Sequence, residues 1–155
     1  MSVWLSKGVR FAALTASIVV GLAVGLASFT FVYAKGFSYL SEDPEVCTNC
    51  HLMQDQFNAW SRGSHHQVAK CKDCHMPDFL PAEMALEGWN GARHSFMFTT
   101  GLHPDYPLIT NINRAVVEGQ CRSCHEPIVR AIDADPGYHM KLDCARCHAS
   151  VGHLE

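Results

Sequence analysis

All eight cysteines of this 155-residue chain fall in one five-residue pattern, C-x-x-C-H. The runs are Cys47/Cys50/His51, Cys71/Cys74/His75, Cys121/Cys124/His125 and Cys144/Cys147/His148. This is the pattern of covalent c-type haem attachment. The two thiols form thioethers with the haem vinyls, and the next histidine lies beside the ring, where its imidazole reaches the iron. Disulfide pairing would use the same cysteines and leave the adjacent histidines unexplained. Zinc sites also use C-x-x-C pairs, but they need no histidine directly after each second cysteine. The pattern therefore implies four covalently attached haem c groups.

A membrane element precedes the motifs. Residues 11–34 are uncharged and mostly apolar, enough for a helix to cross a hydrocarbon core of about 30 Å with some tilt. Lys7 and Arg10 lie just before the run and orient the N-terminus to the cytoplasm. Trp4 at one end, and Tyr33, Phe37 and Tyr39 at the other, suit the two interfaces. Val32-Tyr33-Ala34 resembles a signal-peptide cleavage site, but a signal h-region runs only about 7–15 residues, so a retained anchor is expected. Gly21 and Gly25 form a G-x-x-x-G pair that would let a second helix approach, a route to self-association. The expected location is the inner membrane, single-pass, with the remainder in the periplasm, where covalent haem attachment takes place.

The predicted fold is mainly α. It comprises a cytoplasmic N-terminus and transmembrane helix over 1–36 and a small periplasmic multihaem domain over 37–155. Few or no strands are expected, because short helices and loops must wrap four porphyrins. First cysteines at 47, 71, 121 and 144 are short, long and short apart. That suggests two di-haem halves, about 37–80 and 115–155, joined by a helical connection. In the connection Pro81 suits a first turn, and Ala85, Trp89, Ala92 and Phe96 recur at helical spacing as a packing face. Glu83, Glu87, Asn90 and His94 recur on another face, by default a solvated one. Gly101 and Pro104 end the segment. The net charge of −3 divides into +2 over residues 1–34 and −5 over the rest. With no basic stripe, nucleic acid is not an expected partner.

His75, His125 and His148 are the proximal ligands expected from their motifs. Six further histidines, His65, His66, His94, His103, His139 and His153, lie outside the motifs and exceed what bis-histidine ligation of several haems needs. One of His65 and His66 is expected to ligate. His153 can fold back to a neighbouring haem, His139 precedes the fourth motif, and His103 reads as a loop residue. The first site is ambiguous. His51 and Met53 are two apart and cannot easily bind one iron from the same face. If Met53 binds, His51 is displaced, and an iron without a second ligand is five-coordinate and open.

The anchor, the four motifs in this spacing and C-x-x-C-H-x-M at the first together resemble the NapC/NirT family of membrane-bound cytochromes c. Phe37-Ser38-Tyr39-Leu40-Ser41-Glu42-Asp43-Pro44 and Gly88-Trp89-Asn90 are most similar to the small quinol-oxidising subunit of cytochrome c nitrite reductase complexes. The resemblance implies oxidation of menaquinol from the membrane pool and electron transfer to a periplasmic multihaem nitrite reductase. Alternatives are a general donor to another periplasmic reductase, or a tethered haem carrier or sensor without quinol turnover. It also implies Met53 as ligand of the first haem with His51 unbound. His65 becomes a distal ligand, with His66 as runner-up, and His153 another. In this subfamily the partner enzyme can ligate the fourth haem, leaving His139 without a fixed task or filling that place. Two departures stand out: Glu87 where relatives carry lysine, and His94 where they carry aspartate. Together with Met53 they form the expected quinol site, with Glu87 and His94 able to take quinol protons.

Overall fold

The computed structural model describes residues 6–106, 108–135 and 143–153. His139 and Trp4 lie outside these residues. The chain divides after Phe37 into two compact units. The described residues contain seven α-helices: α1 (Lys7–Tyr33), α2 (Gln54–Arg62), α3 (Cys71–His75), α4 (Leu80–Thr100), α5 (Asn111–Cys124), α6 (Glu126–Asp133) and α7 (Cys144–Cys147). Short 3₁₀ turns cover Gly36–Leu40, Pro44–Asn49 and His51–Met53. No strand occurs among the described residues.

The first unit is essentially α1. Its mean hydropathy reaches 2.1 and it buries nothing against protein. A helix apolar all round and long enough to cross a bilayer has the character of a membrane span. Its few polar side chains satisfy themselves locally. Ser6 caps the N-terminus by accepting from Val9 N–H, while the Thr15 and Ser17 hydroxyls donate to the carbonyls of Phe11 and Ala13 at 3.0 and 2.9 Å. Such back-bonding pairs these two hydroxyls within the helix, as hydrocarbon requires. Space around Gly21 and Gly25 is open.

In the second unit several helices start on a local cap. Asp73 accepts from Lys70 N–H at the start of α3 (2.7 Å). Pro81 occupies the first turn of α4, where its missing N–H costs nothing. Thr110 caps α5 by accepting from Asn113 N–H, and Asp143 caps α7 by accepting from Arg146 N–H. Gly101 ends α4 at φ +69°, a left-handed conformation that favours glycine. Between elements, α3 packs on α5, α5 on α6 and α7, and α2 on the turns that carry the first motif. Gln120 reinforces the first of these contacts by donating to the Met76 carbonyl (2.7 Å) and to Asp78 (2.8 Å).

The orientation of α4 corrects the sequence expectation. The supposed packing residues Trp89 and Phe96 are 56% and 59% exposed to solvent, and Ala85 is exposed, whereas Glu87 and Asn90, on the supposedly solvated face, are both 7% exposed. Polar partners explain the inversion. Lys72, inside the second motif, sends its ammonium to Glu87 (2.8 Å), Glu83 (2.6 Å) and Glu42 (3.0 Å). Asn90 and Asn113 exchange two amide hydrogen bonds at 3.3 and 3.1 Å. A buried carboxylate is tolerated only when paired, and here its cation arrives from α3, a connection that helical periodicity cannot register.

This cluster generates a stability prediction. Lys72→Met leaves Glu87 buried without its cation and should cost about 3–5 kcal/mol. Adding Glu87→Gln should recover part of that loss. Thermal melting of the haem-loaded protein measures both. Equal melting of Lys72→Met and the unmodified protein would show that the cluster contributes nothing.

Candidate functional site

The attachment motifs sit at the ends of short, capped elements. The first spans a 3₁₀ turn, Cys50 and the His51–Met53 turn. The second forms α3 entirely, the third ends α5 with His125 as its C-cap, and the fourth is α7 with His148 as its C-cap. No disulfide links the eight cysteines, and among the described residues no group of three or more His, Cys, Asp or Glu could hold a metal ion.

The thiols of successive motifs are neighbours. The Cys47 and Cys71 thiols act on each other, which pulls Cys47 down to about 7 and pushes Cys71 up. Beyond burial, Cys124 helps push Cys74 up, and Cys74 helps push Cys121 up. Cys121 in turn acts on Cys144. The helix contacts agree for the later motifs: α3, the second, packs on α5, which ends in the third, and α5 packs on α7, the fourth.

Between the motifs the spare histidines are sorted. The His75 and His153 rings have centroids 5.9 Å apart, and those of His65 and His125 are 6.1 Å apart. Two imidazoles that grip one metal ion from opposite sides, each through a bond of about 2 Å, have ring centres roughly 6 Å apart. The Nδ1 atoms of both non-motif partners are occupied: His153 Nδ1 by the Gln56 carbonyl at 3.3 Å and His65 Nδ1 by the Ser64 hydroxyl at 3.1 Å. That leaves Nε2 in each case, the usual division of labour in a ligating histidine. His66 instead meets the edge of Trp60 at 5.7 Å. Burial holds His75 down to about 4, with His153 adding to the effect, so its ring is neutral at ordinary pH, as a metal ligand must be. His103 stacks on Phe98 at 4.6 Å, in keeping with its reading as a loop residue.

At the first motif Met53 is half-buried and His51 exposed. Tyr39, read from the sequence only as an interfacial aromatic, lies against this motif. Its hydroxyl is pushed up by burial, then by the Cys50 and Cys47 thiols, and it is 3.1 Å from His94 Nδ1. Burial and Arg93 push His94 down, favouring a neutral ring. Glu87 is not beside this pair in any hydrogen bond; its partner is Lys72. Lys72 also acts on the Cys47 thiol, so the Glu87–Lys72 cluster borders the first motif through its lysine. Tyr39 and Lys72 are the residues that sequence reading missed. Lys72 is an unspecified position of a C-x-x-C-H run, and Tyr39 looked interchangeable with Tyr33 and Phe37.

The residues present fit haem. Among the described residues the only buried apolar side chains are Ala59 and Leu86. Val68, Phe79, Trp89, Phe96, Ile112 and Ile128 all stay exposed to protein-only space, more apolar surface than a stable unit of this size leaves open. Porphyrin faces supply the missing apolar mass, and the paired imidazoles match the donor set of a six-coordinate iron.

Comparison with known proteins agrees with this construction. Residues 8–102 match the model of the NapC/NirT cytochrome c family, N-terminal region. The cytochrome c-type protein NrfH of Wolinella succinogenes is 31% identical over 157 residues, covering 93% of this chain and 87% of that protein. Cytochrome c nitrite reductase subunit NrfH of Nitratidesulfovibrio vulgaris is 31% identical over 137 residues, covering 86% and 80%. A chain in the crystal structure of the cytochrome c nitrite reductase NrfHA complex bound to the HQNO inhibitor aligns with a TM-score of 0.56 and 27% identity, over 92% of this chain and 90% of that one. With its apolar N-terminal helix and four attachment motifs, the chain belongs to the NapC/NirT cytochrome c family.

Proposed function

We propose that this chain is the membrane-anchored, quinol-oxidising subunit of a cytochrome c nitrite reductase complex. It would take electrons from menaquinol and deliver them to a periplasmic, ammonia-forming nitrite reductase. The observation that carries the reading is the packing of the second motif's helix on that of the third, and of the third's on that of the fourth, on a scaffold similar to a chain of the NrfHA complex. Such a row suits electron relay and has no evident use in a storage or sensing protein.

Bound haem supplies the one-electron chemistry; the chain's residues hold, shield and move protons. In this reading His75 and His153 would hold the second haem, and His65 and His125 the third. Met53 would hold the first in place of His51, and His148 the fourth, together with His139 or a residue of the partner enzyme. The anchor is oriented by Lys7 and Arg10, with the N-terminus cytoplasmic and the haem unit in the periplasm, bounded by the inner membrane.

Quinol oxidation releases two electrons and two protons. His94 is suited to accept a proton at Nε2 in the tautomer whose Nδ1–H donates to the Tyr39 oxygen, with its ring held neutral by burial. Glu87, ion-paired with Lys72, acts less directly, through the charge balance beside the first motif.

Two outcomes test the assignment. Met53→Ala in the full-length protein should abolish haem reduction by a menaquinol analogue while all four haems stay attached; retained quinol activity would sink the entry-site reading. His153→Ala should turn one low-spin haem high-spin in EPR, and His65→Ala should do so at a different haem. An unchanged spectrum would remove that histidine from the ligand set.

A further inference from the structure

Glu118 lies on α5, one turn before the third motif, yet its carboxylate serves the fourth. Its two oxygens accept the backbone N–H groups of Cys144 (Oε2, 2.9 Å) and Ala145 (Oε1, 2.9 Å), the first two residues of α7. One turn earlier on the same helix face, Arg114 donates to Asp143, the α7 cap, at 2.6 Å. Asp143 in turn accepts from Arg146 N–H at 3.1 Å. The start of the fourth attachment helix is therefore gripped from α5 at three successive residues, 143, 144 and 145. Residues 126–133 form α6, so a chain excursion of almost twenty residues separates the third and fourth motifs. Glu118 and Arg114 bridge that excursion directly.

The charge on Glu118 matters as well as its reach. Burial works against it, but the N–H groups of Ala145 and Cys144 more than offset the cost and hold the carboxyl below its usual range. Backbone amides stabilise the anion without cancelling its charge. The Cys144 thiol, which becomes a thioether of the fourth haem, touches this carboxylate and is pushed up by burial and by Glu118. Cys121, of the third motif, also feels it. A fixed negative charge at the edge of a haem favours the more positive, ferric state and lowers the reduction potential, one of the levers by which a protein tunes a haem.

We propose that Glu118 is the positioning and tuning residue of the fourth haem, fixing its attachment helix against the third and holding its reduction potential down. A low potential at the last haem favours onward delivery over retention of the electron. Arg114 shares the positioning task. Its charge is matched by Asp143, so the intact pair adds little net charge beside the fourth motif.

Charge and geometry can be separated in the full-length, haem-loaded protein. Glu118→Gln removes the charge and keeps one acceptor oxygen, whereas Glu118→Ala removes both. Spectroelectrochemical titration should show one of the four midpoints rising in Glu118→Gln, with the EPR g-values of all low-spin haems unchanged. Glu118→Ala should raise the same midpoint, alter the g-values of that haem, and slow electron delivery to an external acceptor about tenfold, while pyridine-haemochrome analysis still counts four haems. Arg114→Ala strips Asp143 of its cation, so it should alter g-values and shift the same midpoint down, opposite in sign to Glu118→Gln. Four unchanged midpoints in Glu118→Gln overturn the tuning role, and unchanged g-values in Glu118→Ala overturn the positioning role. If Glu118→Ala loses a haem, Glu118→Gln alone decides the tuning, and Arg114→Ala decides whether α5 orients α7.

Discussion

The second unit depends on one constraint: its protein atoms bury almost no apolar surface of their own. Ala59 and Leu86 are the buried apolar side chains among the described residues, far less than a hydrophobic core needs to offset the conformational entropy of ordering such a unit. The covalent cofactors are therefore structural before they are functional. Every helix in the unit is short or carries exposed apolar residues, because its packing partner is a porphyrin face. Attachment geometry and fold stability are then the same problem, and a residue that positions a motif also positions a piece of the core.

Polar contacts do the remaining work of fixing the helices to one another. Lys72 gathers Glu42, Glu83 and Glu87 and so joins the second motif to α4 and to the segment ahead of the first motif. Asn90 and Asn113 join α4 to α5, Gln120 joins α5 to the segment after α3, and Glu118 joins α5 to α7. These bonds are directional, unlike hydrophobic packing. In a protein whose haems must keep their spacing for electrons to pass, directional ties are the better means of holding position. Histidine pairing follows the same logic: His153 is brought back to His75, and His65 across to His125, so that each pair ties distant stretches of chain together.

Much of this was legible in the chain. Four C-x-x-C-H runs and an uncharged apolar stretch specify haem chemistry and a membrane helix because both are local patterns. Covalent attachment needs a fixed spacing, and a bilayer needs a fixed length. Pro81 and Gly101 likewise bound α4 from within the sequence. The reading of α4's faces failed because periodicity assumes that apolar residues seek protein. Here Trp89 and Phe96 remain outside while Glu87 and Asn90 go inside, and the cause, a lysine in another element, leaves no periodic trace.

The sequence by itself determined the four C-x-x-C-H motifs, the long apolar helix and the pool of candidate ligands, since each follows from residue type and spacing along the chain. Only the tertiary structure decided which histidines face one another, that His65 rather than His66 stands opposite His125, and that Tyr39 engages His94. It alone showed Glu118 reaching across to the fourth motif. These relations join residues tens of positions apart, and their partners are chosen by packing around the attachment helices rather than by any rule of local spacing.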